Sequence, residues 1–249
     1  MTSEQTRIQS VRNIGEVSVR TSFDELHVKL TQLNAIAGQS IRVFSKVVCC
    51  NDSSQRQDYA DDSSVNSIGY IVDYAKCAVT SGTICLVCAR PPRGNSYLPE
   101  YQNARSDEER AAIVELNRKN HLTKHAMAIL FINRSLFVFD SNFNPNNERT
   151  ITNIEFSSKI IEIRKALIKN GKMSRNSLIA VGGGGNSLDE NGSGRCLNLT
   201  FQFMKAVVEA KIERKFFNQI RFYQHRIGGG KNYQLAESTK NSLQEFNSI

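Results

Sequence analysis

The chain has 249 residues, of which 40% are hydrophobic and 22% are charged, and it carries a formal net charge of +8. This length allows one large domain with a sizeable core, and the composition is typical of a soluble globular protein. No run of about 18 apolar residues occurs, which excludes a typical membrane-spanning helix, and the first residues lack the apolar stretch of a secretory signal peptide. We therefore expect a cytoplasmic protein without a membrane span.

The excess of basic residues favours an anionic partner, such as nucleic acid, an anionic membrane face or an acidic protein surface. The Lys and Arg residues are scattered, however, and no dense basic tract is interleaved with aromatic residues. This pattern argues against direct nucleic-acid recognition and leaves an acidic partner surface as an open alternative.

In residues 1–120 the sequence predicts two helices and three strands. Ser22 and Glu25 have the spacing of a capping box, and Gly38 is a suitable helix stop. Ser106 and Glu109 form a second capping box. The predicted helices are 22–37 and 106–118, the predicted strands are 40–50, 68–79 and 83–89, and 51–66 is a predicted loop. We expect this region to belong to the same domain as the rest of the chain.

Residues 121–249 alternate strands and helices and form the predicted core. Asn133-Arg134-Ser135 is a turn between two apolar strands, so it predicts a tight hairpin. The last helix of this region is apolar nearly all round, which is typical of a central, buried helix. The predicted strands are 123–132, 136–140 and 177–181, and the predicted helices are 154–169 and 197–211.

The six cysteines do not have the spacing of a small disulfide-bonded scaffold. Cys49, Cys50 and Cys77 lie in apolar runs predicted to be strands, and Cys85-x-x-Cys88 has no second Cys or His pair at metal spacing. We interpret these five as buried free thiols and predict no metal and no cofactor. The four glycines at 182–185 lack the Lys-Ser/Thr pair of a phosphate-binding loop, so nucleotide binding is a weak alternative.

The sixth cysteine, Cys196, is predicted to lie in the first turn of the apolar helix. Unpaired backbone N–H groups and the helix dipole favour a thiolate there. Arg195 adds positive charge beside it, and the preceding Asn191-Gly-Ser-Gly loop can present N–H groups to a developing oxyanion. Asn191 and Arg195 are therefore predicted to support the oxyanion. The alternative is that Cys196 is a small core residue under a glycine-rich loop.

His125 opens the first strand of the predicted hairpin, and Asp140 closes the second. A short turn places these strands side by side, so a hydrogen bond from the imidazole to the carboxylate is geometrically reasonable. A thiol, an imidazole and a carboxylate are the three parts of a cysteine hydrolase. His125, Asp140 and Cys196 are thus the predicted catalytic residues, with His121 as a competing base. The alternative is that His125 and Asp140 are merely solvated at strand ends.

The order of His strand, Asp strand, helix, short strand, Asn-Gly loop and Cys helix, from about His121 to Glu209, resembles that of a cysteine protease superfamily. This superfamily includes the adenoviral maturation protease and the SUMO-specific proteases. The resemblance implies an α+β, papain-like or adenain-like mixed sheet packed against a buried Cys-bearing helix. It also implies that His125 is the base, Asp140 its orienting partner and Cys196 the nucleophile, acting on a protein substrate such as a conjugate of a ubiquitin-like modifier.

Two other functions remain open from the sequence. The YopJ-type effector acetyltransferases share the same arrangement, and a basic cluster formed by Lys205, Lys211, Arg214 and Lys215 would favour binding of an anionic activator. A non-enzymatic, self-assembling viral protein of the polyhedrin kind is compatible with the length and the mixture of strands and helices. If Cys196 and His125 are not neighbours, the protease and the acetyltransferase interpretations fail together.

Overall fold

A computed structural model describes residues 2–18, 21, 23–50, 67–89, 103–120, 125–141, 143, 154–177, 179–183, 195–214 and 222–224. These parts of the chain contain six helices and seven strands. In chain order they are α1 Ser3–Asn13, α2 Phe23–Ala37, β1 Arg42–Val43, β2 Val48–Cys50, α3 Ser67–Cys77, β3 Thr83–Ala89, α4 Asp107–Asn120, β4 His125–Ile132, β5 Ser135–Asp140, α5 Ile154–Lys169, β6 Ile179–Gly182, α6 Cys196–Glu213 and β7 Phe222–Gln224.

All seven strands belong to one mixed sheet. The order is β1-β3-β4-β5-β6-β7, and β2 pairs with the same strand as β1, namely β3. The β1–β3, β2–β3 and β5–β6 pairs are parallel, whereas β3–β4, β4–β5 and β6–β7 are antiparallel. The register places Ala89 opposite His125 and Gly182 opposite Phe139. The end of β3, the start of β4 and the ends of β5 and β6 therefore lie at the same end of the sheet.

Helices cover both faces of the sheet, so each face has its own hydrophobic core. On one face α1, α2 and α6 pack against alternate residues of β3, β4 and β5, such as Leu86, Leu130 and Phe137. On the other face α3 and α5 pack against the intervening residues, such as Val87 and Ile129. Within the described residues, no helix is both long and apolar enough to cross a membrane.

The predicted α+β class is confirmed at the level of a mixed sheet with helices. The predicted helix at 154–169 has these bounds in the structure, and the helices predicted at 22–37, 106–118 and 197–211 occur with ends shifted by a few residues. Gly38 ends α2 with a positive φ of 56°, which glycine adopts without steric cost. The loop predicted at 51–66 lies outside the described residues.

Two predicted strands are wrong. Residues 68–79 form helix α3 and the turn after it, because the apolar residues recur at helical spacing and bury one face, with Ile71, Tyr74, Ala75 and Ala78 in the core. Cys77 therefore lies at a helix end. The single strand predicted at 40–50 is two short strands, which pair with successive parts of the same edge of β3.

Helix α1 was not predicted, and it is attached to α6 by polar contacts. Lys205 is only 7% exposed, and its ammonium group donates hydrogen bonds to the carbonyl oxygens of Arg12 (3.1 Å) and Ile14 (2.9 Å). These carbonyls lie at the end of α1, where backbone acceptors lack a partner within the helix. Arg12 also forms an ion pair with Glu209 on α6 at 3.2 Å. The N-terminal helix is thus fixed to α6, the helix that begins at Cys196.

Replacing Lys205 by Met should weaken this attachment, because it removes the ammonium group that donates both hydrogen bonds to the end of α1. We expect the free energy of unfolding, measured by urea denaturation, to fall by about 1–3 kcal/mol. Lys165→Met is the matched control, since Lys165 is exposed on α5, and it should change stability by less than about 0.5 kcal/mol. Equal effects of the two substitutions would contradict the assigned role of Lys205.

Candidate active site

The β4–β5 hairpin places the candidate base and its partner side by side. Asn133 and Arg134 form a two-residue turn with positive φ values of 46° and 61°. This turn conformation matches the right-handed twist of the two flanking strands. This turn fixes the register so that Asp140 lies opposite Met127, two residues from His125. Because alternate residues of a strand point to the same face, His125 and Asp140 leave the hairpin on the same side as diagonal neighbours.

His125 and Asp140 are in direct contact. The Nε2 atom of His125 lies 2.9 Å from Oδ1 of Asp140. The side chain of His125 is 13% exposed and that of Asp140 is 8% exposed. The pair is therefore largely shielded from water, and the interaction between the imidazole and the carboxylate is stronger than it would be on the surface.

Cys196, at the start of α6, is the third member of the candidate site. It is the first residue of α6, it is 3% exposed, and its thiol lies close enough to the imidazole of His125 to help raise the pKa of that ring. Backbone N–H groups in the first turn of a helix have no intrahelical partner, so the thiol lies beside a local excess of positive potential. The structure thus brings together the three residues that the sequence predicted to be catalytic.

Two contacts of α6 with the hairpin fix the position of Cys196. One turn after Cys196, the hydroxyl of Thr200 donates to the carbonyl oxygen of Ala126 at 3.1 Å, beside His125. Two turns after it, the ring of Phe203 stacks on that of Phe139, beside Asp140, with centroids 4.4 Å apart and planes 8° from parallel. Each member of the site therefore has a chain neighbour that joins α6 to the hairpin. The roles of Thr200 and Phe203 depend on this contact, so sequence reasoning missed them.

The surroundings of His125 favour its protonated form. Burial opposes protonation, but hydrogen bonding to Asp140 and Cys196 and the charges of both residues outweigh it and raise the pKa of His125 from 6.5 to about 9. At neutral pH the ring is then protonated on both nitrogens, and Nε2 donates to Asp140. Because the pKa of His125 is higher in the folded state than in the unfolded chain, its protonation stabilises the fold. This contribution is fully present below pH 6.5 and is lost as pH rises through about 9.

The other predicted site residues are less completely defined. Arg195 is exposed and precedes α6 at its N-cap position, where its side chain makes no capping hydrogen bond. Asn191 and the competing base His121 lie outside the described residues.

Of the basic cluster suggested by the sequence, Lys205 and Lys211 are each only 7% exposed, Arg214 is exposed, and Lys215 lies outside the described residues. Burial lowers the pKa of Lys205 and that of Lys211.

The remaining cysteines form no second site in the part of the chain described. Cys85 and Cys88 are buried free thiols, as predicted, whereas Cys77 is only half-buried because it lies at the end of α3. The side chains of Cys49 and Cys50 lie outside the described part of the structure. Cys85 belongs to the core on one face of β3 and Cys88 to the core on the other face, so the two thiols cannot coordinate the same metal ion. Among the described residues, no group of three or more His, Cys, Asp or Glu side chains is arranged to hold a metal.

Comparisons with family models, curated proteins and solved structures found no match to this chain.

The ionisation of His125 can be followed by NMR titration of its ring in the wild type and in Asp140→Asn. We expect a wild-type midpoint near 9 and a midpoint at least one unit lower in Asp140→Asn, because the variant keeps the burial but loses the carboxylate charge. His27 serves as an internal control, since it lies on α2, away from this hairpin. A midpoint that is unaffected by Asp140→Asn would show that the carboxylate does not govern the imidazole.

Proposed function

We propose that the protein is a thiol hydrolase, either a cysteine protease or a deconjugase of ubiquitin-like modifiers, acting through His125, Asp140 and Cys196. The observation that carries this proposal is a single imidazole that contacts a carboxylate at 2.9 Å and lies beside a thiol at a helix start. A nucleophile, a base and a residue that orients the base are the parts of this chemistry.

Each residue has a distinct part in the first half of the reaction. The thiolate of Cys196 attacks the carbonyl carbon of the scissile amide, and a C–S bond forms as the carbonyl becomes an oxyanion. Since Nε2 of His125 is engaged by Asp140, the proton passes from Nδ1, the other ring nitrogen, to the leaving amine. The C–N bond then breaks and leaves a thioester on Cys196.

Hydrolysis of the thioester reverses the proton flow. His125, now neutral, removes a proton from water, and the resulting hydroxide attacks the thioester carbonyl. The C–S bond breaks, releasing a carboxylic acid and restoring the thiolate beside the protonated imidazole. Asp140 holds the ring in one orientation through its contact with Nε2 and stabilises the positive charge of the imidazolium.

The N-terminus of α6 supplies a natural place for the oxyanion. The Arg195 side chain does not cap this terminus, and the first N–H groups of a helix have no intrahelical acceptor. Such donors, directed at the developing charge, contribute several kcal/mol in comparable hydrolases, of order 3 kcal/mol each. We assign them to the oxyanion together with the predicted support from Asn191 and Arg195.

The papain-like or adenain-like architecture is part of the same proposal. In support, the Cys-bearing helix α6 is buried and packs against the strands that carry His125 and Asp140. The acetyltransferase alternative is less favoured, because Lys205 and Lys211 are buried rather than available to an anionic activator or coenzyme.

The proposal can be tested with fluorogenic amides, using a peptide panel and C-terminal aminocoumarin derivatives of several ubiquitin-like modifiers. We expect hydrolysis of at least one substrate class, a loss of about 10²–10⁴-fold in kcat for His125→Ala, and no activity for Cys196→Ala. Trapping of an acyl group on Cys196, detected by mass spectrometry at low pH, would identify the thioester.

Cys77→Ala is the matched control for these assays, since it removes a half-buried thiol on α3 and should leave kcat unchanged. Activity that persists in Cys196→Ala would contradict the proposal. Transfer of an acetyl group from acetyl-coenzyme A to a protein, without amide hydrolysis, would instead favour the acetyltransferase.

A further inference from the structure

Gly183 occupies a special place beside the candidate active site. It follows the last residue of β6, which runs parallel to β5, and the register pairs Gly182 with Phe139. The next residues of the two strands, Gly183 and Asp140, are therefore neighbours. The glycine run was interpreted from the sequence only as a weak candidate for phosphate binding.

No side chain can be accommodated at Gly183 without changing the approach of its backbone to that of Asp140. A Cβ atom built on Gly183 would lie 1.7 Å from the backbone oxygen of Asp140, 2.8 Å from its carbonyl carbon and 3.1 Å from Cβ of Phe143. The first two distances are shorter than real Cβ contacts, and they involve backbone rather than a flexible side chain. The backbone of Asp140, that of Gly183, or both would have to shift by more than an ångström in total.

The backbone of Asp140 is itself held in this position. Its carbonyl oxygen accepts a hydrogen bond from the N–H of Phe143 at 2.9 Å, and the Phe143 side chain is 1% exposed. A shift of Asp140 would therefore either break this turn or move the carboxylate away from His125. The hydrogen bond from Nε2 to Oδ1 is 2.9 Å long, and such bonds weaken steeply once the distance exceeds about 3.5 Å.

We infer that Gly183 is a positioning residue for the proposed reaction. The absence of a side chain at Gly183 lets the end of β6 approach the backbone of Asp140, and this approach holds the Asp140 carboxylate against His125. The inference deepens the proposed function and rests on it, since it assigns the setting of the base to a residue outside the three predicted catalytic ones. Gly183 does not touch the reacting atoms and acts only through Asp140.

The test compares Gly183→Ala with Gly15→Ala in the full chain. At Gly15 an added Cβ would meet only the end of the flexible Lys29 side chain, at 3.0 Å. We expect the NMR titration midpoint of His125 to fall by at least one unit from about 9 in Gly183→Ala and to stay unchanged in Gly15→Ala. Adding Gly183→Ala to Asp140→Asn should produce no further shift, because both substitutions act through the same carboxylate.

The outcomes separate a positioning role from a structural one. If Gly183→Ala is partly unfolded, its titration is measured in trimethylamine N-oxide, which favours the folded state. An unchanged midpoint in the folded variant, an additive shift in the double variant, or a variant that stays unfolded in the osmolyte would each overturn the inference. The titration does not require a substrate, so the inference survives a failed hydrolysis assay if the midpoint moves as expected.

Discussion

The candidate active site depends on the packing of α6 against the β4–β5 hairpin. The hairpin alone pairs His125 with Asp140, but the thiol comes from a helix about 55 residues further along the chain. The hydroxyl of Thr200 and the ring of Phe203 join that helix to the residues that follow His125 and precede Asp140. A rigid-body shift of α6 would therefore separate the thiol from the imidazole while leaving the hairpin intact.

Burial strengthens the electrostatic interactions within the site, but moving its ionised groups out of water costs free energy. Taking ionised groups out of water is unfavourable, and only close, well-directed partners offset the cost. Here the protonated imidazole of His125 has such a partner in Asp140, at 2.9 Å in a largely buried site, and Cys196 lies beside it. Removing any one member leaves the others buried without compensation, so the three residues should behave as a unit rather than as additive contributors.

The sequence predicted those parts of the fold that depend on local pattern. The hairpin turn, the buried helix with Cys196 at its start and the helix at 154–169 each follow from a local signal: turn residues, apolar periodicity and a glycine-rich segment. The strand predicted at 68–79 is wrong because a nearly continuous apolar run indicates burial without indicating a period, and the helical spacing of the residues that become buried decides for a helix.

Other features are created only by tertiary contact, so no local pattern reveals them. Lys205 looks like a surface lysine until α1 is placed on it, and α1 itself has few apolar residues to signal a buried face. The need for glycine at 183 depends on the approach of β6 to Asp140. The contact of Thr200 with Ala126 likewise requires the helix to be docked.

The pH dependence of iodoacetamide alkylation, resolved for each cysteine by mass spectrometry, tests the pairing of Cys196 with His125 most directly. Cys77 is an internal reference, because burial raises its pKa and its labelling should be slow below neutral pH. The account predicts that Cys196 alkylates faster than Cys77 near pH 6, because the imidazole of His125 lies beside its sulfur. In His125→Ala this rate should fall about tenfold or more. A Cys196 that is inert, or that reacts equally fast without His125, would contradict a thiolate–imidazolium pair.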